Sequence, residues 1–286
     1  MKVLMFGWEY PPHVYGGLAT ANFGITQGLH AQGDIDITLC LPKPFGDEDH
    51  TAARIVAMNC VPIAWRNVDY DYVKSRIGNV MAPDYYYRLR DHLYADFNYM
   101  YVNELGCMDF AGGYPSNLHD EINNYSIIAG VVARTEDFDI IHAHDWLTYP
   151  AGIHAKRVSG KPLCIHVHAT DFDRSRGNVN PTVYSIEKDG MDNADCIMCV
   201  SELTRQTVIN QYHQDPRKCF ASTMPFIHCV RSYRTFLAPT TPARRRLLPS
   251  SVGSQCRRGR SILSRPPIWC CIAPVMCVSA WQAAVT

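Results

Sequence analysis

The sequence predicts an α/β fold, a parallel sheet with helices on both faces, and three observations carry that prediction. Apolar runs of about five to seven residues recur between residues 1 and 219 and stop at glycine or polar turns, as strands buried on both faces do. Helix-patterned stretches of ten residues or more separate most of those runs. The order strand, loop, helix then repeats, which is the order of a parallel sheet built with crossover helices.

Taken along the chain, Lys2–Gly7 reads as the first strand, closed by glycine, and Gly17–His30 as the first helix. A second strand is expected over Ile35–Leu41. The tyrosine-rich stretch Asn67–Gly106 looks helical around Asp84–Glu104, and its aromatic spacings suit core and lid packing rather than a site. Helix Glu121–Arg134, strand Asp139–Ala143 and helix Leu147–Val158 follow, then strand Leu163–His168, helix Ser185–Ala194, strand Cys196–Val200 and helix Glu202–Tyr212. In sheets of this kind ligands sit outside the carboxyl ends of the strands, so the residues just after each strand are the ones to weigh for chemistry.

Composition narrows the function classes. The 286 residues are 47% hydrophobic and 19% charged, enough apolar material to bury a sizeable core. Basic and acidic residues number 27 each, which argues against a phosphate-gripping nucleic-acid binder. The balance is a cancellation: nine arginines, no lysine and no acidic residue lie from Phe220 onward, leaving residues 1–219 with eighteen basic side chains against 27 acidic. The apolar run Val3–Phe6 stops at Gly7, too short for the core of a signal peptide, so a cytoplasmic location is expected and the twelve cysteines are expected to be reduced. Cys196 and Cys199 form a lone C-x-x-C inside an apolar strand and read as structural, since a structural zinc site takes four ligands. Pro266–Thr286 is uncharged, but its prolines, Ser279 and Gln282 make it a poor membrane span.

Three turns carry candidate chemistry. The first strand runs into Gly7-Trp8-Glu9-Tyr10-Pro11-Pro12-His13-Val14-Tyr15-Gly16-Gly17-Leu18, where paired glycines at a helix start let a ligand phosphate approach backbone N–H groups. No G-x-G-x-x-G is present, and the second strand ends in Leu41-Pro42-Lys43-Pro44 without an acid for a ribose. The second turn is His142-Ala143-His144-Asp145-Trp146, and the third is His166-Val167-His168-Ala169-Thr170-Asp171. H-x-H on a strand sends both rings to one face, so a metal site is a rival to the reading in which one ring per strand meets a ligand.

These motifs, taken in order with Ala194-Asp195-Cys196-Ile197-Met198-Cys199-Val200-Ser201-Glu202-Leu203-Thr204, resemble the amino-terminal domain of glycogen and starch synthase-like glycosyltransferases. The likeness covers residues 1–219 and implies the Rossmann-like first half of a GT-B fold, the acceptor-side domain. It implies retaining transfer of a glucosyl unit from a nucleotide sugar, ADP- or UDP-glucose, to an α-glucan, with no metal or other cofactor and with neither nucleic acid nor membrane as a partner. By the same resemblance Gly16 and Gly17 approach the donor pyrophosphate, and His144 is the catalytic group beside the transferred sugar. His142 and Asp145 bind substrate with it, and His168, Thr170 and Asp171 line the acceptor side. A non-catalytic glycan-binding module and a metal-dependent hydrolase using the H-x-H pairs remain the alternatives.

The stretch 220–286 breaks the pattern. At the average acidic content of the chain its 67 residues would hold about six carboxylates, and they hold none. The degenerate code allows the codons of Val252–Thr286, read one base earlier, to encode GRLTMQKGPEYFVEAA and more, which resembles the nucleotide-sugar domain of the same family. A frameshift after about residue 219 is therefore expected, with a poorly ordered tail and a truncated, inactive fragment.

Overall fold

The computed structural model describes residues 1–63, 103 and 105–221. The tyrosine-rich helix expected around Asp84–Glu104 and the tail after Ala221 lie outside the described residues. The described chain forms β1 (Lys2–Phe6), α1 (Gly17–His30), β2 (Asp36–Leu41), β3 (Arg54–Ala57), α2 (Leu118–Thr135), β4 (Ile140–His144) and α3 (Tyr149–Ser159). It continues through β5 (Leu163–Val167), the one-turn α4 (Asp171–Arg174), α5 (Pro181–Asn193), β6 (Cys196–Cys199), α6 (Glu202–Gln211) and β7 (Cys219–Ala221).

Seven strands pair in parallel in the order β3-β2-β1-β4-β5-β6-β7. The order reverses between β1 and β4, and that switch point is where two loops leave the same sheet edge in opposite directions and open a crevice. The predicted α/β class is therefore observed. Two strands went unread in the sequence: β3 is an edge strand of four partly exposed residues, and β7 is three residues long, too short for any period to show. The sheet consequently runs past residue 219, to Ala221.

Every residue of β4, β5 and β6 is buried, which is why these strands are continuous apolar runs rather than alternating ones. Leu4, Phe6, Ile141, Ala143, Ile165, Val167 and Cys199 face one way and pack with residues of α2, α3 and α5. Val3, Met5, Ile140, Cys164, Cys196 and Met198 face the other, with Ile25 and Leu29 of α1. Cys196 and Cys199 thus lie on opposite faces and cannot converge on one ion, in line with a structural role; the described cysteines are all free thiols.

Helix ends follow local chemistry. Asn180 caps α5 by accepting from the Thr182 and Val183 N–H groups, Ser201 caps α6 by accepting from Thr204 N–H, and Thr170 with Asp173 forms a reciprocal capping box on α4. Gly160 ends α3 at φ 69°, a left-handed turn that glycine adopts without strain.

The α2–α3 contact depends on a missing side chain. A Cβ on Gly130 would fall 2.3 Å from the His154 ring, which is buried and held by Ser126 O at 2.8 Å. Gly130→Ala gains up to about 1 kcal/mol of helix propensity, but overpacking a fixed ring costs about 1–3 kcal/mol. The expected net result is a lower thermal midpoint; a midpoint at or above the parent's would show that the ring yields freely.

Candidate functional site

The site is built on the carboxyl edge of β1, β4 and β5. Its first component is a stack of imidazoles. Parallel register sets His144 beside His166 and Met5 beside His142, so the rings of both H-x-H pairs share one sheet face. Ring centroids of His142 and His144 are 4.1 Å apart, and those of His166 and His168 are 4.4 Å apart with planes within 15°. His144 Nδ1 lies 3.1 Å from His168 Nε2, so one ring donates and the other accepts. His142, His144 and His166 are fully buried, and only His168 is half-buried. The expected site ring His144 is therefore buried, and its partner His168 is the most exposed of the four rings.

Burial, and then the neighbouring rings, hold the pKa values of His142, His144 and His166 well below the usual histidine range; burial, His142 and Arg174 bring His168 down to about 3. These groups are neutral when folded and take up protons near pH 6.5 when unfolded, so the unfolded state binds more protons below that pH. Glu187, pushed up to about 7 by burial, works in the opposite sense between its ordinary 4.5 and 7, but it is one group against four. Stability is therefore expected to fall as pH drops from 7 to 5, by up to about 1.4 kcal/mol per pH unit for each such histidine. Urea midpoints flat across that range would contradict the neutral stack.

The second component is an ion-pair network. Asp145, at φ 63°, turns the chain sharply after β4 and accepts from Arg174 at 2.8 and 2.6 Å. Arg174 also donates to Glu187 Oε1 at 3.0 Å and to Ala169 O at 2.8 Å. Glu187 in turn accepts from the Asp171 N–H at 3.1 Å and from the Tyr212 hydroxyl. The charge of the buried Asp145 is thus balanced by Arg174.

The third component is the loop after β1. Glu9, buried, accepts from the Tyr15 and Gly16 N–H groups at 2.7 and 2.9 Å, and from the Tyr114 hydroxyl at 3.1 Å. The paired glycines were expected to offer their N–H groups to phosphate; the Gly16 N–H is instead taken by a carboxylate of the same chain, because a buried acid favours the positive start of a helix just as a ligand would. Gly17 remains open, since a Cβ there would meet nothing within 4 Å.

Two other expected contact residues serve local structure. The buried Thr170 donates to Asp173 Oδ2 at 2.8 Å, and Asp171 Oδ2 accepts from Asn180 N–H at 2.6 Å. Sequence reasoning missed Glu9, Tyr114, Arg174 and Glu187 as site-building groups. Glu9 stood in a quoted motif and Arg174 lies one helical turn after Asp171, but Tyr114 is 105 residues from the first and Asp145 is 29 from the second.

Among the described residues, His142, His144 and His166 could offer nitrogens within 4.8 Å of one another to a metal ion, and His13, Asp47 and Glu48 form a second, more open group. The histidine trio fits imidazole-binding ions by ligand type. It holds no carboxylate to offset two added charges in a buried place.

Residues 116–220 match the profile of Glycosyltransferase Family 4. An uncharacterized glycosyltransferase of Methanocaldococcus jannaschii is 24% identical over 178 residues, 62% of this chain and 33% of the relative. YqgM, an uncharacterized glycosyltransferase of Bacillus subtilis, is 27% identical over 94 residues, 32% of this chain and 26% of the relative. The chain thus spans about a third or less of the length of these curated relatives. Sucrose-phosphate synthase from Thermosynechococcus elongatus superposes with a TM-score of 0.51 at 10% identity, over 77% of this chain and 47% of that one, a likeness of fold. Among the described residues no helix is long and apolar enough to cross a membrane. The stretch from residue 116 to residue 220, which supplies β4 to β7 of the sheet, is thus the part of the chain that is similar to Glycosyltransferase Family 4.

Proposed function

We propose that the protein belongs to a retaining glycosyltransferase of the glycogen and starch synthase-like group, moving a glucosyl unit from ADP- or UDP-glucose to an α-glucan. The observation that carries the reading is the convergence, at the switch point, of the family segment's Asp145, His168 and Arg174 with Glu9 and Tyr114 from outside it. Transfer with retention develops positive charge on the sugar and negative charge on the leaving diphosphate. In this reading the half-buried His168 and the carboxylate of Asp145 meet the sugar. The start of α1 already carries Glu9, so in this reading Gly17 touches the donor only at its margin. The diphosphate is then held chiefly by a second, nucleotide-sugar domain.

Residues 220–286 contain no carboxylate for a ribose and no lysine for a diphosphate. Holding donor and acceptor together between two domains is worth roughly 7–11 kcal/mol of barrier. The 286-residue chain is therefore read as nearly inactive. The experiment assays glucose transfer from ADP-, UDP- and GDP-glucose to glycogen by this chain, beside a version with the frame restored after about residue 219. Equal rates would remove the missing-domain reading, and no transfer by either would remove the transferase reading.

The histidine trio within 4.8 Å favours one second reading, a metal-dependent hydrolase. Activity of the restored chain that a chelator abolishes and added metal returns would select it.

A further inference from the structure

The buried imidazoles of β4 and β5 carry ligand atoms that the transferase reading leaves unused. Register places His142 beside Cys164 and Cys164 beside Cys196; two residues further on, it places His144 beside His166 and His166 beside Met198. Register partners stand on the same face of a sheet, so these two rows set imidazole, thiol and thioether groups side by side. Within them His142, His144 and His166 bring one ring nitrogen each to within 4.8 Å of the others. Three atoms so spaced share a centre no more than about 2.8 Å from each, and imidazole nitrogen binds a metal at about 2.0–2.1 Å. Small turns about the soft Cβ–Cγ bonds close that difference, and the His142 and His166 planes, 15° apart, have to make one.

Two hydrogen-bonding observations point the same way. His144 Nε2 and His166 Nδ1 are buried with no hydrogen-bond partner among the described residues, on rings 0% and 2% exposed. A buried ring nitrogen left so is costly unless a ligand takes its lone pair. The other nitrogen of His144, Nδ1, lies 3.1 Å from His168 Nε2. A metal-bound histidine characteristically donates its second ring N–H to an outer partner, and His168 stands where that partner is needed. Charge then selects the ion. The cost of taking an ion out of water rises with the square of its charge, so a monovalent cation costs about a quarter as much as a divalent one in a ligand set without a carboxylate. Imidazoles with thiol and thioether neighbours favour a soft cation over a hard one. An ion enclosed by three buried rings also lacks the open, watered position that a hydrolytic metal needs.

We propose that His142, His144 and His166 hold a soft monovalent cation, Cu(I) by this chemistry, in a closed site that ties β4 to β5. The inference does not rest on the transferase reading and stands against the hydrolase one. The test uses the 286-residue chain, labelled with nitrogen-15 histidine and kept free of oxygen. It is titrated with Cu(I), and separately with Ag(I), until the ring signals stop moving. Both ions are diamagnetic, and silver, a spin-half nucleus, couples to each nitrogen it binds, so the spectra report imidazoles and pass over ions taken up by thiols. One nitrogen in each of three rings is expected to shift, silver is expected to couple to all three, and the thermal midpoint is expected to rise by about 5 °C. His166→Leu is expected to abolish the shifts of the other two rings, and His13→Gln, in the more open group with Asp47 and Glu48, to leave them in place. If His166→Leu does not fold, the three silver couplings in the parent chain decide. Ring nitrogens unmoved by either ion, with the metal held by cysteines alone, would overturn the inference. So would Zn(II) displacing Cu(I) from the same three rings.

Discussion

If the proposed transferase reading holds, His144→Ala in a frame-restored chain is expected to lower glucosyl transfer by about 10²–10³, the usual cost of losing one polar contribution to transition-state charge. The ring is fully buried, so its effect passes through His168, whose Nε2 lies 3.1 Å from His144 Nδ1. A neutral imidazole at that distance fixes which nitrogen of His168 carries the proton and which way its ring faces. Truncation also leaves a cavity among His142, His166 and His168, so the thermal midpoint has to be read beside the rate. His144→Gln keeps a polar group in the space and is expected to recover stability before it recovers rate. Near-normal kcat/KM in His144→Ala would remove the histidine pair from the mechanism.

The largest loss of stability is expected from Arg174→Met. The guanidinium bridges two carboxylates, and the exposed fractions of the three side chains are 21% for Arg174, 13% for Asp145 and 2% for Glu187. Methionine keeps much of the volume but leaves both acids without their cation, and breaking a buried pair from one side costs about 3–5 kcal/mol. The loss is enlarged because the Ala169 carbonyl loses its donor. Adding Glu187→Gln to Arg174→Met is expected to restore little at pH 7, since burial already pushes the Glu187 pKa up to about 7 and the acid protonates once its cation is gone. Urea denaturation at pH 7 measures both, and a single-variant loss below about 1 kcal/mol would mean that water reaches the acids and solvates them.

Much of the scaffold was legible in the sequence because its signals are local. Helix α1 was read with both ends correct, since Gly16-Gly17 and the polar turn after His30 mark them. Strands β1, β2, β4, β5 and β6 were read to within a residue or two, because an apolar run closed by a turn is a property of the run itself. The common face of His142 and His144, and of His166 and His168, follows from a period of two along an extended chain. The lone C-x-x-C was read as structural from its apolar surroundings, and the opposite-face placement of its thiols agrees. What could not be read locally was β3 and β7, where a short edge strand takes its identity from the neighbour it pairs with.

The sequence by itself determined that this is a parallel α/β sheet and which side chains stand at its carboxyl edge. Tertiary structure alone decided which of them meet. That His144 touches His168 is set by the register that puts His144 beside His166, and register is a relation between strands that neither strand encodes alone. That Glu9 meets the Tyr114 hydroxyl, 105 residues away, and that Arg174 spans Asp145 and Glu187, 29 and 13 residues away, depends on loops folding back over a common edge. Periodicity fixes the face a side chain occupies, because that follows from its own backbone; a partner is fixed only when distant segments are brought together and burial makes each charge and hydrogen-bonding group find another.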